Sequence, residues 1–170
     1  HSSHRRQRQM CIRDSYTTAS GDYSTAMGQD TTASGITSTA MGAGTNATGQ
    51  RSTSMGNYTT ASGSMSVAMG YKALAAGDRS VAMGTDTRAS DLNSLVIGQY
   101  NSSGYSVTSA DSFSTSAPAF VIGNGTTSNA RSDAFKVMFN GDTYVSSSLY
   151  LGGTAITSTA AELNILDGVT

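Results

Sequence analysis

Glycine recurs at every seventh position through one long stretch of the chain, and this spacing restricts the folds that the chain can adopt. Ten glycines keep the interval, and an eleventh rejoins it after Asp91 takes one slot: Gly21, Gly28, Gly35, Gly42, Gly49, Gly56, Gly63, Gly70, Gly77, Gly84 and Gly98. Alternate segments differ, because one kind ends as STAMG at 24–28 and the other as TASG at 18–21. The true period is therefore fourteen, and about six copies predict a stacked repeat architecture.

A period of fourteen is compatible with a coiled coil or with a β-solenoid. Each glycine inside a helix costs about 0.5–1 kcal/mol relative to alanine, so the coiled coil is unfavourable. In a solenoid, each seven-residue segment supplies a strand of about four or five residues and a tight turn at or just after the glycine. We therefore predict an all-β fold, a parallel β-solenoid with 14-residue coils over residues 16–104, in which the glycines are the corners.

Side chains alternate between the two faces of a strand, so each coil has a small face and a bulky face. In STAMG, Ser24 and Ala26 share the small face, and this parity holds in all six copies. We predict that the small face packs inside a narrow coil. The predicted interior consists of two opposed rows of alanine: Ala26, Ala40, Ala68 and Ala82 on one side, and Ala19, Ala33, Ala47, Ala61, Ala75 and Ala89 on the other. The alternative places methionine inside the coil and alanine outside.

The bulky face then becomes an outward stripe with members fourteen residues apart: Met27, Met41, Met55, Met69, Met83 and Ile97. A contiguous apolar row of this kind marks an interaction surface. Copies of the chain would bury it against one another, and a closed ring of three is one economical solution. We therefore predict a homotrimer.

The repeats resemble the head repeats of trimeric autotransporter adhesins of the YadA type, which share an S-V-A-x-G unit. SVAMG at 66–70 and at 80–84 are the most similar copies, and the resemblance extends over roughly residues 16–104. This chain has Met where the family often has Ile, and Asp91 where the pattern has Gly. The resemblance implies a left-handed parallel β-roll that assembles as a trimer. It also implies an extracellular adhesin that attaches to a host-cell receptor, a glycan or a matrix protein.

After Gly104 the glycine spacing ends, and residues 105–157 predict a β-rich continuation. AFVIG at 119–123 is similar to the last repeat strand, and residues 134–145 predict a hairpin that turns at Asn140-Gly141. A further strand pair is expected at 148–156.

The last segment, 158–170, predicts a short helix. Thr159 and Glu162 have the spacing of a capping box, and Gly168 is the expected end of the helix. This ending and the stretch GNGTTSNARSDAFKVMFNGDTYV resemble segments of phage tail fibres. That resemblance implies a virion fibre as a second context, and the chain is expected to be a fragment of a longer protein.

Composition argues against catalysis and against several classes of partner. Only 12% of residues are charged, Glu162 is the only Glu, and a single cysteine, Cys11, provides neither a disulfide framework nor a cysteine metal cluster. We predict no catalytic residue, no cofactor and no metal site. The net charge of −1 argues against nucleic acid as a partner, and no apolar run approaches the roughly 20 residues that would insert in a membrane. Residues 1–15 are arginine-rich and differ from the repeats, so we interpret them as a disordered, tag-like or artefactual arm.

One alternative function follows from threonine. Thr17, Thr31, Thr45, Thr59 and Thr87 share a column that Ala73 interrupts. Flat threonine ladders order water in ice-binding solenoids, although the neighbouring column here is irregular. An ice-binding or purely structural β-solenoid is therefore the alternative to an adhesive module.

Overall fold

The computed structural model describes residues 16–159 and Glu162. Over these residues the chain forms a parallel β-solenoid of about six coils, followed by antiparallel strands. The prediction of an all-β parallel solenoid is confirmed, whereas the left-handed sense of its coils stays a prediction. The arm at 1–15 lies outside the described residues. Of the segment 158–170, the described part is Ser158, Thr159 and Glu162, so the helix expected there stays a prediction.

Each coil contains one long and one short strand. The long strands have five residues each and run through the Met-Gly segments: β2 (Thr25–Gln29), β4 (Thr39–Ala43), β6 (Thr53–Asn57), β8 (Val67–Tyr71), β10 (Val81–Thr85) and β12 (Leu95–Gln99). The short strands have two residues each: β1 (Thr18–Ala19), β3 (Thr32–Ala33), β5 (Asn46–Ala47), β7 (Thr60–Ala61), β9 (Leu74–Ala75) and β11 (Arg88–Ala89). The expected length of four or five residues therefore holds only for the Met-Gly half.

Equivalent residues of successive coils stack directly on one another. Met27 is paired with Met41 in the parallel ladder between β2 and β4, and Ala33 is paired with Ala47 between β3 and β5. The short strands form a six-stranded sheet and the long strands form most of a nine-stranded sheet. The 14-residue period of the sequence is thus the offset between hydrogen-bonded neighbours.

The space between the two sheets is filled by small side chains. The alanine rows lie inside, since Ala33, Ala40, Ala47, Ala61, Ala68, Ala75, Ala82 and Ala89 are fully buried, Ala26 is buried and Ala19 is partly buried. Serine fits this interior because its hydroxyl bonds to nearby backbone, as when Ser66 Oγ donates to the Gly63 carbonyl at 2.7 Å. The methionine column lies on the opposite side of the long strands. The alternative with methionine inside is therefore not what the structure shows.

The glycines do not all lie at corners. Gly21, Gly35, Gly49, Gly63 and Gly77 lie in the bends, but Gly28, Gly42, Gly56, Gly70, Gly84 and Gly98 lie inside the long strands. The left-handed backbone of each corner belongs to the residue two places after the glycine, as at Tyr23, Asp30 and Thr37 with φ of 57°, 53° and 55°. The turns thus lie at or just after the glycines, but the left-handed position in them is mostly taken by residues other than glycine.

Glycine is required because the coils approach each other backbone to backbone. A Cβ built on Gly35 would lie 2.0 Å from the carbonyl oxygen of Gly49, and one on Gly28 would lie 1.9 Å from that of Gly42. Gly28 also has a φ of 120°, whereas Gly35 has no positive φ. For the glycines in the bends, the reason is the stacking distance and not the freedom of glycine to adopt a positive φ.

The nine-stranded sheet continues after the repeats. β13 (Pro118–Asn124) pairs in parallel with β12, and the offset between partners rises to 25 residues, as between Leu95 and Phe120. β14 (Asp133–Met138) and β15 (Thr143–Val145) then add as an antiparallel hairpin. A separate antiparallel pair consists of β16 (Tyr150–Leu151) and β17 (Thr154–Ala155).

Candidate interaction surface

The outward face of the nine-stranded sheet carries the methionine column as one continuous row. In the parallel ladders, each of the six predicted members of the stripe is paired with the next, from Met27 to Ile97. In the single chain Met27, Met41 and Met83 are 43%, 37% and 39% exposed, and the other three members are half-buried. A second column runs beside it on the same face: Thr25, Thr39, Thr53, Val67, Val81 and Leu95.

Both columns continue into the strands that follow the repeats. Ile97 is paired with Ile122, Ile122 with Phe135, and Phe135 with Val145. The second column continues in the same way through Phe120, Val137 and Thr143. We call these two columns, over all nine strands, the outer face.

The outer face is uncharged along its whole described length. Its side chains are those of Thr, Met, Val, Leu, Ile and Phe, and the rings of Phe120 and Phe135 meet edge to face with centroids 6.1 Å apart. Asp and Lys occur on β14, but Lys136 is paired with the buried Val121 and therefore lies on the other side of the sheet. An uncharged flat face of this kind is suited to contact with another apolar surface.

The threonine column lies inside the coil and not on its surface. Thr31, Thr45, Thr59 and Thr87 are fully buried, Ala73 is 1% exposed, and Thr17 is partly buried at the first coil. The Oγ1 atoms of Thr45 and Thr87 have no hydrogen-bond partner. The interpretation of this column as an exposed water-ordering ladder was wrong, because alternation from Ala33 places Thr31 on the inner side.

The six-stranded sheet ends at a side chain that imitates a peptide group. The buried Asn101 accepts the N–H of Arg88 through Oδ1 at 2.8 Å and donates from Nδ2 to the Arg88 carbonyl at 2.9 Å. These are the two bonds that a further strand would make with β11. The sequence carried no signal for this role, since one Asn in a Ser-rich segment has no distinctive pattern.

Asp91 holds the irregular segment that follows the repeats. Its Oδ1 accepts the backbone N–H groups of Thr108 and Ser109, each at 2.6 Å, and its Oδ2 has no hydrogen-bond partner. This segment takes the place of the next regular corner, since the offset between β12 and β13 is 25 residues and the Leu92 N–H donates to the Ser109 carbonyl. The departure from glycine therefore coincides with the end of the regular 14-residue coils.

A cluster of charged and aromatic groups fastens Arg131 to the fifth coil. Arg131 Nη2 lies 2.8 Å from Asp86 Oδ1, and Nη1 donates to the Asp86 carbonyl at 3.0 Å. The ring of Tyr105 lies between two guanidinium groups, with Arg88 at 4.2 Å and Arg131 at 4.3 Å from its centroid. The charged groups of this cluster contact one another or the Tyr105 ring, so we assign the cluster a structural role.

Thr159 and Glu162 make the reciprocal hydrogen bonds of a capping box. The N–H and Oγ1 of Thr159 donate to the Glu162 carboxylate at 2.7 and 2.8 Å, and the Glu162 N–H donates to Thr159 Oγ1 at 3.2 Å. These hydrogen bonds, from the backbone first and then from the hydroxyl, lower the pKa of Glu162 below its ordinary value.

Two other kinds of site have no candidate in the part of the chain that is described. Within residues 16–159 and Glu162, no group of three or more His, Cys, Asp or Glu side chains is placed to hold a metal ion. In the same residues, no helix has the length and apolar character to cross a membrane.

Comparison with known proteins agrees with the repeat geometry. The model of the YadA head domain repeat, which spans two copies, matches residues 19–45, 33–59, 47–73, 61–87 and 75–101. Neither a curated protein nor a solved structure matches the chain. Successive matches begin fourteen residues apart, which is the offset of the stacked coils. Residues 19–101 are therefore head repeats of the YadA type.

Proposed function

We propose that this chain is a non-enzymatic, homotrimeric attachment module that works outside the cell. The membership of residues 19–101 in the YadA head family supports an adhesin-like role. The observation that carries the proposal is the outer face, where an uncharged row of methionines stays partly in water although the coil interior is already filled.

The filled interior is the reason to expect association. Because Ala40 and Ala68 are fully buried, no rotation of the long strands can bring Met41 or Met69 inside without exposing alanine and overfilling the coil. Full burial of a Met side chain contributes about 1.5–3 kcal/mol, so a row of this length offers a large gain to a chain that covers it. Three copies around an axis parallel to the rod cover every row with two neighbours.

Attachment is the second part of the proposal. A rigid rod places its corner residues in solvent at regular heights, and Tyr23 and Tyr58 are exposed there. The partner is a host-cell receptor, a glycan or a matrix protein. A bacterial surface adhesin follows from the repeats, while a phage tail or virion fibre follows from the resemblance of the C-terminal segment, which stays a prediction.

The test of self-association is the mass of the purified protein by sedimentation equilibrium at micromolar concentration. We expect three times the chain mass for the wild type and dissociation of Met55→Asp, which puts a charge in the centre of the outer face. Met65→Asp is the matched control, because Met65 is 44% exposed at a corner and is not on that face. A wild-type protein that stays monomeric would refute the proposal.

The test of attachment compares binding of the wild type and of Met55→Asp to host cells, glycan arrays and immobilised matrix proteins. An attachment module binds at least one of these surfaces and loses avidity when the trimer dissociates. A purely structural solenoid binds none of them. The threonine column that suggested ice binding is buried inside the coil. A lack of thermal hysteresis in the same preparation would exclude this alternative.

A further inference from the structure

The outer face extends beyond the family repeats by three rungs, where a rung is the pair of outer-face side chains on one strand. These terminal rungs are Phe120 with Ile122 on β13, Phe135 with Val137 on β14, and Thr143 with Val145 on β15. They lie outside residues 19–101 and continue both columns without interruption. The family resemblance therefore does not account for this part of the face.

The apolar character of the outer face rises toward the terminal rungs. The first three rungs pair Thr with Met, the next two pair Val with Met, and the sixth pairs Leu95 with Ile97. The two phenylalanines follow immediately, in edge-to-face contact and only half-buried. Since aromatic side chains bury the largest areas and dominate interface energies, the strongest contacts are expected at this end.

The terminal rungs also lengthen the face. Strands lie about 4.8 Å apart, so the six repeat strands span about 24 Å and all nine strands span about 38 Å.

The terminal rungs also distinguish one axial alignment from the others. Two neighbouring rods that slide by one coil, about 4.8 Å, still place methionine against methionine along the repeats. The phenylalanine rungs occur once, so the same slide places Phe120 against Leu95 or Val137 and leaves an apolar rung uncovered. Unique side chains in a repetitive seam are a known means of fixing register.

We infer that the terminal rungs are the principal site of contact with the two other copies of this chain and that they set the register of the copies. The inference rests on the proposed function, since it concerns a chain that associates with itself. It adds a location that the repeats do not supply.

The experiment compares two double variants of the full chain by sedimentation over a dilution series. Phe120→Ser with Phe135→Ser removes the terminal aromatic contacts, and Met27→Ser with Met41→Ser removes two contacts at the other end. We expect the phenylalanine variant to associate at least about a hundredfold more weakly than the wild type, and the methionine variant about tenfold. Tyr23→Ser, which replaces an exposed aromatic at a corner, is the control and should change nothing.

Register is measured by spin-label distances between copies, with the label on Ser62→Cys and with Cys11→Ser to remove the native thiol. The wild type should give one narrow distance, and the phenylalanine variant at high concentration should give a broadened distribution. Amide exchange in the coils reports whether each variant is folded. If the serine variant unfolds, Phe120→Leu with Phe135→Leu takes its place, with about a tenfold loss of association expected.

The outcomes separate the two proposals. A wild type that is monomeric refutes the proposed function and removes the basis of the inference. A wild-type trimer whose folded phenylalanine variant associates as tightly as the methionine variant, and with the same narrow distance, overturns the inference alone.

Discussion

Replacing Gly49 by alanine tests why glycine recurs in the bends. Gly49 has no positive φ, so alanine can adopt its backbone conformation. The added Cβ would lie 2.0 Å from the carbonyl oxygen of Gly63 and 2.6 Å from its carbonyl carbon. A carbon–oxygen contact needs roughly 3.3 Å, so the two coils have to separate by about 1.3 Å at this corner.

The separation costs hydrogen bonds. Thr48 and Gly49 both donate to the Ala61 carbonyl, at 2.9 and 3.2 Å, and an increase of about 1.3 Å takes both contacts out of hydrogen-bonding range. Each lost bond costs about 1 kcal/mol, and leaving a buried group unpaired adds about 1–3 kcal/mol. Alanine also lowers the conformational entropy of the unfolded chain, and this effect stabilises the protein by only about 0.4–1 kcal/mol. We expect Gly49→Ala to lower the free energy of unfolding by about 3 kcal/mol.

The assay is urea unfolding at one fixed protein concentration, with amide exchange at residues 47–63 to locate the change. Thr48→Ala is the matched control, because its side chain is exposed beside the same corner and its loss should change stability by less than about 0.5 kcal/mol. The sign of the change in the free energy of unfolding distinguishes close stacking from flexibility as the reason for glycine. If glycine served only for flexibility, alanine at an ordinary φ would be neutral or stabilising, and that result would contradict the stacking argument.

Three further predictions concern single residues. Thr37→Asn should stabilise the protein by about 1 kcal/mol in the same unfolding assay, because Thr37 is β-branched and has a φ of 55°; a loss of stability would contradict this. Asp91→Ala should speed amide exchange at Thr108 and cost about 2 kcal/mol, since two backbone donors lose their acceptor; unchanged exchange would show that the carboxylate is dispensable. A carbon-13 NMR titration should place the pKa of Glu162 below its ordinary value, so that the capping bonds persist at neutral pH and their stabilisation is lost as pH falls through the lowered pKa. Thr159→Ala removes the hydroxyl and keeps the backbone N–H, so it should raise that pKa part of the way towards its ordinary value, and an unchanged pKa would exclude the hydroxyl as a cause.

The solenoid was predictable because its evidence is periodic. A fourteen-residue interval fixes which residues stack, and alternation within STAMG fixes which of them share a face. The same alternation, continued from Ala33 to Thr31, places the threonine column inside. The burial of the threonine column was nevertheless not predicted, because the short strands have only two residues and Thr31 lies just before one of them. Two residues are too few to display an alternating pattern in the sequence.

The other features of the structure depend on distances between coils and on strand registers, which the repeat period does not determine. The role of the bend glycines follows from the gap between neighbouring coils. The terminal rungs depend on antiparallel pairing between β13 and β14, whose register shifts between Pro118 and Phe120 and between Ile122 and Gly123. The function of Asn101 follows from one side chain lying where a strand would otherwise continue.

The ending of the six-stranded sheet at Asn101 has a mechanical consequence. In a fibre pulled along its length, the load acts along the hydrogen bonds between coils, and in the repeats two walls share that load. Beyond β11 the load passes to the nine-stranded sheet, to the side-chain bonds of Asn101 and Asp91, and to a few backbone bonds such as the one from the Leu92 N–H to the Ser109 carbonyl. We therefore expect a rod built this way to yield first at the junction between the sixth coil and the strands that follow it.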